Sequence, residues 1–207
     1  MSFLTLLDYA SVLVFAASGA MVASRAQLDI VGFAFMACLT AVGGGTLRDL
    51  LLDRHPVFWV ADPAPIVLAV LMAVLVFFTA HLVESRLRWV VWLDSFALAI
   101  AVPAGTGAAI ELGHGPVIVV LMGMATGAFG GLMRDVVCNE VPLVLKQGEP
   151  YMSCAMAGAI SAITLVWIGV PLSLALLTCA GVTWVMRASA LMWGWSLPVY
   201  KSRPPRQ

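Results

Sequence analysis

The sequence predicts an all-α integral membrane protein with seven transmembrane helices, arranged as an inverted three-plus-three repeat followed by one extra C-terminal helix. Three observations predict this fold class. Hydrophobic residues make up 62% of the 207 residues and charged residues 11%, roughly half the charged fraction of a soluble domain. Seven apolar stretches are each long enough to cross a bilayer. A glycine-rich pattern also occurs twice in the chain, 86 positions apart.

The predicted membrane spans are separated by short turns, many of which contain proline or glycine. The spans cover about residues 7–24, 30–52, 64–84, 89–110, 116–138, 151–169 and 171–192. No interval between them is long enough for a soluble domain, so we expect residues 1–207 to form a single transmembrane domain. The first span lacks the basic residues that precede the apolar core of a signal peptide, which predicts a mature helix.

Basic residues predict the orientation, because they accumulate on the cytoplasmic side of membrane proteins. If all seven spans cross, nine basic residues lie on the side of the C-terminus and two, Arg48 and Arg54, on the other side. The nine are Arg25, Arg86, Arg88, Arg134, Lys146, Arg187, Lys201, Arg203 and Arg206. The sequence therefore predicts an integral protein of the plasma (inner) membrane with its N-terminus outside and its C-terminus in the cytoplasm.

The glycine-rich pattern belongs to a longer internal duplication. Residues 40–49 read TAVGGGTLRD and residues 126–135 read TGAFGGLMRD. At the same offset of 86 residues, Asp8 matches Asp94. The offset predicts a first repeat at about 7–84 and a second at about 93–169, followed by a seventh helix at about 171–192.

The odd number of spans in each repeat predicts that the second repeat enters the membrane from the opposite side. Membrane transport proteins often have such inverted repeats and place their pathway where the two repeats meet, between broken helices. The second and fifth spans, which carry the glycine runs, are therefore the candidate walls of a pathway. The first and fourth spans lie beside them.

The glycine runs are the first candidate site. Glycine and proline weaken a helix, so in a lipid environment they predict a kink or break whose carbonyl groups face a cavity. The candidate helix-kink and pore-lining residues are Gly43, Gly44, Gly45, Gly130, Gly131, Ser18, Gly19, Pro103 and Gly105. Close helix packing is the alternative, since Gly123, Gly127 and Gly131 have the spacing of a GxxxG packing motif.

Two arginine–aspartate pairs are the second candidate site, because charged residues inside a membrane span are costly and often functional. They are Arg48-Asp49 and Arg134-Asp135, and apolar residues continue past both. This favours a site within the membrane, although side chains that snorkel to the headgroups are the alternative.

The inverted arrangement brings Asp8, predicted at the start of the first helix, near Arg48, and Asp94, predicted at the start of the fourth, near Arg134. Each end of a pathway is thus predicted to carry an Asp-Arg-Asp cluster with a net charge of minus one. Such a cluster draws cations, while its arginine gates the pathway.

Several function classes lack support in the sequence. A formal net charge of zero gives no electrostatic footprint for nucleic acid. The histidines and cysteines lack metal-ligand spacing, and no nucleophile with a base or phosphate-binding loop is present. We therefore expect no enzyme, no catalytic or metal-binding residue, no cofactor and no nucleic-acid partner.

Taken together, these residues resemble the prokaryotic TRIC proteins, the trimeric intracellular cation channels. The resemblance covers about residues 7–190. It depends on the three-plus-three-plus-one plan, the motif at 43–49, its degenerate copy at 129–135 and the sequence Asn-Glu-Val-Pro at 139–142. The same sequence group contains bacterial membrane proteins with a glycine-transporter-like domain.

The resemblance implies a homotrimer among membrane lipids, with one pore in each protomer. The second and fifth helices, kinked at their glycines, would line that pore and conduct monovalent cations, with potassium favoured over sodium. Phe129, in place of the first glycine of the second copy, implies a stiffer kink there. A secondary transporter of a small zwitterion such as glycine is the alternative, because inverted repeats with broken helices suit alternating access equally well.

Overall fold

The computed structural model describes residues 3–83 and 86–200, and within these ranges the chain is all-helical. Seven helices of 16 or more residues follow one another. They are α1 (Phe3–Arg25), α2 (Ile30–Leu51), α3 (Ala64–Thr79), α4 (Arg86–Glu111), α5 (Pro116–Val137), α6 (Tyr151–Trp167) and α7 (Leu172–Trp193). A four-residue helix, Phe58–Ala61, and two 3-10 turns, Ala80–Leu82 and Leu143–Leu145, lie in the connections.

Six of the described helices are long and apolar enough to cross a membrane: α1, α2, α3 with the 3-10 turn that follows it, α4, α5 and α7. The remaining long helix, α6, is apolar but has only 17 residues. The chain is therefore a multi-pass membrane protein, as its composition predicts.

Two of the predicted helix starts are wrong. Asp8 does not begin α1, which starts at Phe3, and Asp94 does not begin α4, which starts at Arg86. Both aspartates lie inside their helices because apolar residues before them continue the helical pattern. The short helix Phe58–Ala61 was not predicted, since a single turn gives no periodic signal.

Some residues used in the sequence predictions lie outside the described part of the chain. They are residue 84, where the first repeat was predicted to end, the cytoplasmic candidates Lys201, Arg203 and Arg206, and the side chain of Arg86.

The most enclosed helix is α4, which packs against α1, α5, α6 and α7. The second helix packs against α1, α3 and α5, so α2 and α5 meet at the centre of the bundle. Small residues such as Ala16, Ala20, Ala97 and Ala101 fill the core and allow the helices to approach closely. Large apolar side chains such as Phe35 face outward, as expected of a surface covered by lipid.

Local structure recurs at the 86-residue offset found in the sequence. The backbone is left-handed at Gln27 (φ 56°) and again at Gly113 (φ 74°). It is left-handed at Asp53 (φ 52°) and again at Asn139 (φ 54°). The turns that end the first two helices of α1–α3 are therefore the same turns that end the first two helices of α4–α6.

Candidate functional site

The glycine runs of α2 and α5 meet where these two helices cross. A Cβ atom added to Gly44 would overlap the carbonyl oxygen of Thr126, and one added to Gly130 would overlap the carbonyl oxygen of Thr40. Gly44 corresponds to Gly130 and Thr40 to Thr126 at the 86-residue offset, so one contact is present twice. Only glycine, whose side chain is a single hydrogen atom, allows the two helices to come this close at the crossing.

The glycine runs do not interrupt their helices. The second helix is continuous from Ile30 to Leu51 and the fifth from Pro116 to Val137. Neither run therefore breaks its helix, and α4 is likewise continuous through Pro103. A kink at these positions that turns carbonyl groups toward a pathway stays a prediction. Packing against neighbouring helices offsets the low helix propensity of glycine. The alternative, close packing, is what the structure shows at Gly44 and Gly130.

The other glycines of the prediction also face close neighbours. Gly19 of α1 and its counterpart Gly105 of α4 approach the carbonyl oxygens of Met36 and Met122 in the adjacent helix. In the runs themselves, a Cβ on Gly43 would lie 3.5 Å from the Cα of Gly130.

The last glycine of each run packs beside one of the two predicted Asp-Arg-Asp clusters. A Cβ on Gly45 would meet the ring of Phe58, and one on Gly131 would lie 2.8 Å from Oδ1 of Asp94. The runs therefore set the spacing between the helices and the charged groups described next.

The first cluster consists of Asp8, Arg48 and Asp49. Arg48 donates from Nη1 and Nη2 to the two carboxylate oxygens of Asp8, at 2.6 and 3.2 Å, and from Nε to Oδ1 of Asp49 at 2.8 Å. The Arg48 side chain is 1% exposed and that of Asp8 is 15% exposed. The other oxygen of Asp49 accepts from the amide of Phe58 at 2.9 Å, which ties the start of the short helix to the cluster.

A fourth charged residue changes the electrostatics of the first cluster. Arg54 Nη1 lies 3.1 Å from Oδ1 of Asp49. Two arginines therefore balance two aspartates, so the predicted net charge of minus one is wrong for this cluster. The prediction placed Arg54 only in the count of basic residues, because five positions separate it from Asp49.

The second cluster consists of Asp94, Arg134 and Asp135. Arg134 donates from Nη1 to Oδ1 of Asp94 at 2.9 Å and from Nε to Oδ1 of Asp135 at 2.7 Å. Nη1 also donates to the hydroxyl of Ser18. The Arg134 side chain is completely buried, and Asp94 is 1% exposed. Both predicted arginines thus lie inside the protein rather than in headgroups.

Tyr151 distinguishes the second cluster from the first. Its hydroxyl donates to Oδ2 of Asp94 at 2.7 Å, and its ring lies 5.0 Å from Cζ of Arg187, a buried residue of α7. Arg187 in turn donates from Nη2 to Oε2 of Glu149 at 2.7 Å. Sequence reasoning did not find Tyr151, whose counterpart in the first repeat is Pro65. Arg187 entered the sequence analysis only in the count of basic residues, although a charged residue within the apolar α7 is a signal that could have singled it out.

A narrow cavity lies beside the first cluster. Its lining comes from α1, α2, α4, α5 and the short helix: Asp8, Ser11, Phe15, Ala41, Gly44, Gly45, Phe58, Ala101 and Thr126. Its volume is about 10 Å³, which is roughly the space that one water molecule needs. The candidate site is therefore a polar seam between α2 and α5, with an arginine–carboxylate cluster on each side of a tight glycine crossing.

Outside the membrane helices, Asp62 links the short helix to α1. It accepts a hydrogen bond from the Tyr9 hydroxyl and another from the amide of Ala64 at 3.0 Å. These two bonds lower the pKa of the Asp62 carboxyl from its ordinary value. The contact fixes the connection between α2 and α3 against the end of α1 that carries the first cluster.

Sequence comparison identifies relatives over nearly the whole chain. The profile of the family described as glycine transporter matches residues 5–81 and again residues 91–167, which are 86 positions apart. The UPF0126 inner membrane protein YadS of Escherichia coli (strain K12) is 37% identical over 198 residues, or 94% of each chain. A UPF0126 membrane protein of Vibrio cholerae is 36% identical over 205 residues, which cover 96% of this chain and 83% of that protein.

Solved structures show the same fold. The TRIC trimeric intracellular cation channel orthologue from Rhodobacter sphaeroides is 41% identical, with a TM-score of 0.90 over 94% of this chain and all of that one. A structure solved to explain conductance through TRIC cation channels is 26% identical, with a TM-score of 0.86 over 99% of this chain. The predicted resemblance is thus confirmed: the chain belongs to the membrane-protein family whose profile is described as glycine transporter, and its fold is that of the TRIC channels.

Proposed function

We propose that the protein is a passive channel for monovalent cations, with a pathway through each protomer between α2 and α5. The observation that carries this proposal is the pair of buried Asp-Arg-Asp clusters on either side of the α2–α5 crossing. In the second cluster two carboxylates exceed one arginine, whereas Arg54 balances the first cluster. Carboxylates inside the membrane lower the energy of a cation that has lost part of its water, and an arginine beside them limits its passage. The likeness to a TRIC cation channel orthologue supports the same function.

The pathway is proposed to run between two inverted repeats, with α7 as the seventh span. The 17 residues of α6 make a helix about 26 Å long, which is enough to cross a thin bilayer. With α6 counted as a span, each repeat has three helices. The recurring turns and glycine contacts support the duplication, and the odd number of helices makes it inverted.

The structure is proposed to represent a non-conducting state. The cavity beside the first cluster has room for about one water molecule, whereas a potassium ion moves with several ligands around it. Conduction would require α2 and α5 to separate at Gly44 and Gly130. Arg48 and Arg134, which bind carboxylates on opposite sides of that crossing, would act as the gates.

The proposal also covers which cation the channel prefers, how many protomers assemble and in which membrane they lie. We propose that potassium is favoured over sodium. We also propose that three protomers assemble, because the name of the Rhodobacter sphaeroides channel describes that protein as trimeric. The outward-facing apolar residues would contact membrane lipids, in the inner membrane that is named for the Escherichia coli relative. The N-terminus would lie outside and the C-terminus in the cytoplasm.

A transporter of a small zwitterion such as glycine is the second candidate. The family profile carries the glycine transporter name, and inverted repeats that meet at a closed seam also suit alternating access. The two functions differ in the flux they produce. A channel gives unitary currents, whereas a transporter gives uptake that saturates with substrate.

Purified protein in planar bilayers with potassium chloride on one side and sodium chloride on the other tests the proposal. We expect unitary currents whose reversal potential lies toward that of potassium. The Asp8→Asn variant should reduce the single-channel conductance, whereas Asp53→Asn, which changes a side chain that is 94% exposed, should not. Saturable uptake of labelled glycine without unitary currents would contradict the channel and favour the transporter.

A further inference from the structure

The two clusters differ in how the arginine holds the aspartate of the neighbouring helix. Arg48 uses both terminal nitrogens to bind both oxygens of Asp8. Arg134 binds only Oδ1 of Asp94, while Tyr151 donates to Oδ2. Nη2 of Arg134 is buried without a hydrogen-bond partner among the described residues. An unpaired buried donor of a charged group is costly, so neighbouring contacts must favour this arrangement over a two-oxygen pairing.

Arg187 contacts Tyr151 from outside the duplicated part of the fold, and its own Nε and Nη1 are also buried without a hydrogen-bond partner among the described residues. Its guanidinium lies over the Tyr151 ring, and its Nη2 is fixed by Glu149, two positions before Tyr151 in the chain. A cation over an aromatic ring is most stabilising when both are removed from water, and here both residues are 2% exposed or less. The position of Tyr151 on Asp94 therefore depends on α7.

The two clusters also differ in burial, and the second is buried more completely. The first cluster borders the small cavity, and its Asp8 side chain is 15% exposed. In the second cluster Asp94 is 1% exposed and Ser18 is completely buried, with Tyr151 covering Asp94. The described state is thus sealed more completely at Asp94 than at Asp8.

From these contacts we infer that Tyr151, anchored by Arg187, is a positioning residue that latches the second cluster shut. When the latch is engaged, Tyr151 binds Asp94 and Arg134 Nη2 is unpaired. When it is released, Tyr151 withdraws with α6 and α7, and Asp94 binds Arg134 through both oxygens, as Asp8 binds Arg48. The latch itself concerns only how accessible the second cluster is. That it acts as a gate at one end of a pathway rests on the proposed function.

Access is measured with a cysteine at Ser18 and a membrane-impermeant thiol reagent, in a background whose four native cysteines are replaced. A hydrogen bond to a charged group shifts an equilibrium by about tenfold or more. We therefore expect Tyr151→Phe, which removes only the hydroxyl, to speed labelling of Ser18→Cys from the C-terminal side about tenfold. Arg187→Gln should change the rate in the same direction. The matched control is Tyr9→Phe, which removes the hydroxyl bonded to Asp62, beside the first cluster and away from the second.

Equal labelling rates in Tyr151→Phe and the parent would overturn the latch, as would an equal increase in Tyr9→Phe. The same variants in planar bilayers give the second readout, with longer openings expected for Tyr151→Phe. If labelling changes as expected while neither the parent nor any variant conducts, the latch is supported and the proposed channel function fails. If the parent conducts but its openings and its labelling are both unaffected by Tyr151→Phe, the channel is supported and the latch fails.

Discussion

Among the described residues, the three largest fully buried side chains are arginines: Arg48, Arg134 and Arg187. An arginine inside a membrane is tolerated when carboxylates and hydrogen-bond acceptors surround it. Arg48 contacts two carboxylates that are also reached by solvent or by Arg54, whereas Arg134 contacts two that are almost completely buried. The same sequence motif thus produces two sites with different energetics.

This difference predicts unequal effects of removing each arginine. Arg134→Gln leaves Asp94 and Asp135 buried without their countercharge, so we expect a loss of about 3–5 kcal/mol in the free energy of unfolding. Arg48→Gln should cost less, because water reaches Asp8 and Arg54 still pairs with Asp49. Thermal unfolding of the purified variants in detergent, followed by tryptophan fluorescence, measures both.

The double variant Arg134→Gln with Asp94→Asn is the control for this comparison. It removes a charge of each sign, so it should recover part of the stability that Arg134→Gln loses. Equal losses for the two single arginine variants would show that burial of the carboxylates does not set the difference.

At the scale of the helices, the crossing of α2 and α5 decides how the clusters are spaced. Each helix presents a glycine to a backbone carbonyl of the other, at Gly44 and at Gly130. Backbone atoms cannot yield as a flexible side chain can, so this contact has no tolerance for a larger residue. The crossing is therefore both the tightest point of the seam and the point at which α2 and α5 must separate to widen it.

Substituting alanine at the crossing tests this role. Gly44→Ala and Gly130→Ala add a methyl group against a carbonyl oxygen, so we expect each to lose about 1–3 kcal/mol of unfolding free energy as the helices move apart. The matched control is Gly181→Ala in α7, where a Cβ has no neighbour within 4 Å. That change should be neutral or stabilise the helix by up to about 1 kcal/mol. A neutral result at Gly44 and Gly130 in the same unfolding assay would contradict the packing role.

Part of the helix arrangement could be predicted from the sequence, and part could not. The partners of Arg48 and Arg134 could be predicted, because two consecutive antiparallel helices bring the N-terminal part of one beside the C-terminal part of the next. For the glycine runs the sequence left a kink and close packing open, and only the carbonyls that face Gly44 and Gly130 show that these glycines serve packing. The contact of Tyr151 with the second cluster could not be predicted either, because its ring packs on Arg187, which lies outside the two repeats.

For the molecule as a whole, α7 makes the two ends of the seam different. The duplicated helices alone would give equivalent clusters, each with one arginine shared between two aspartates. The seventh helix packs on α4 and α6 and brings Arg187 to Tyr151, while the first cluster instead has Arg54 from the α2–α3 connection. The duplicated helices therefore form the seam. Two arginines that the duplication does not repeat, Arg187 and Arg54, make its two ends different.

The inverted arrangement itself predicts where the matching turns lie. Asp53 and Asn139 are counterparts in the duplication, both exposed and both left-handed. The proposed odd number of spans between them would place them on opposite sides of the membrane. In a background without native cysteines, Asp53→Cys should react with an impermeant maleimide in intact spheroplasts. Asn139→Cys should react only after the membrane is permeabilised, because the excess of basic residues assigns its side to the cytoplasm. Gln27→Cys, on the same proposed side as Asn139, and His114→Cys, on the same side as Asp53, are the controls. Reaction of Asp53→Cys and Asn139→Cys from one side would mean that the repeats are parallel, and the two clusters would then not lie at opposite ends of a pathway.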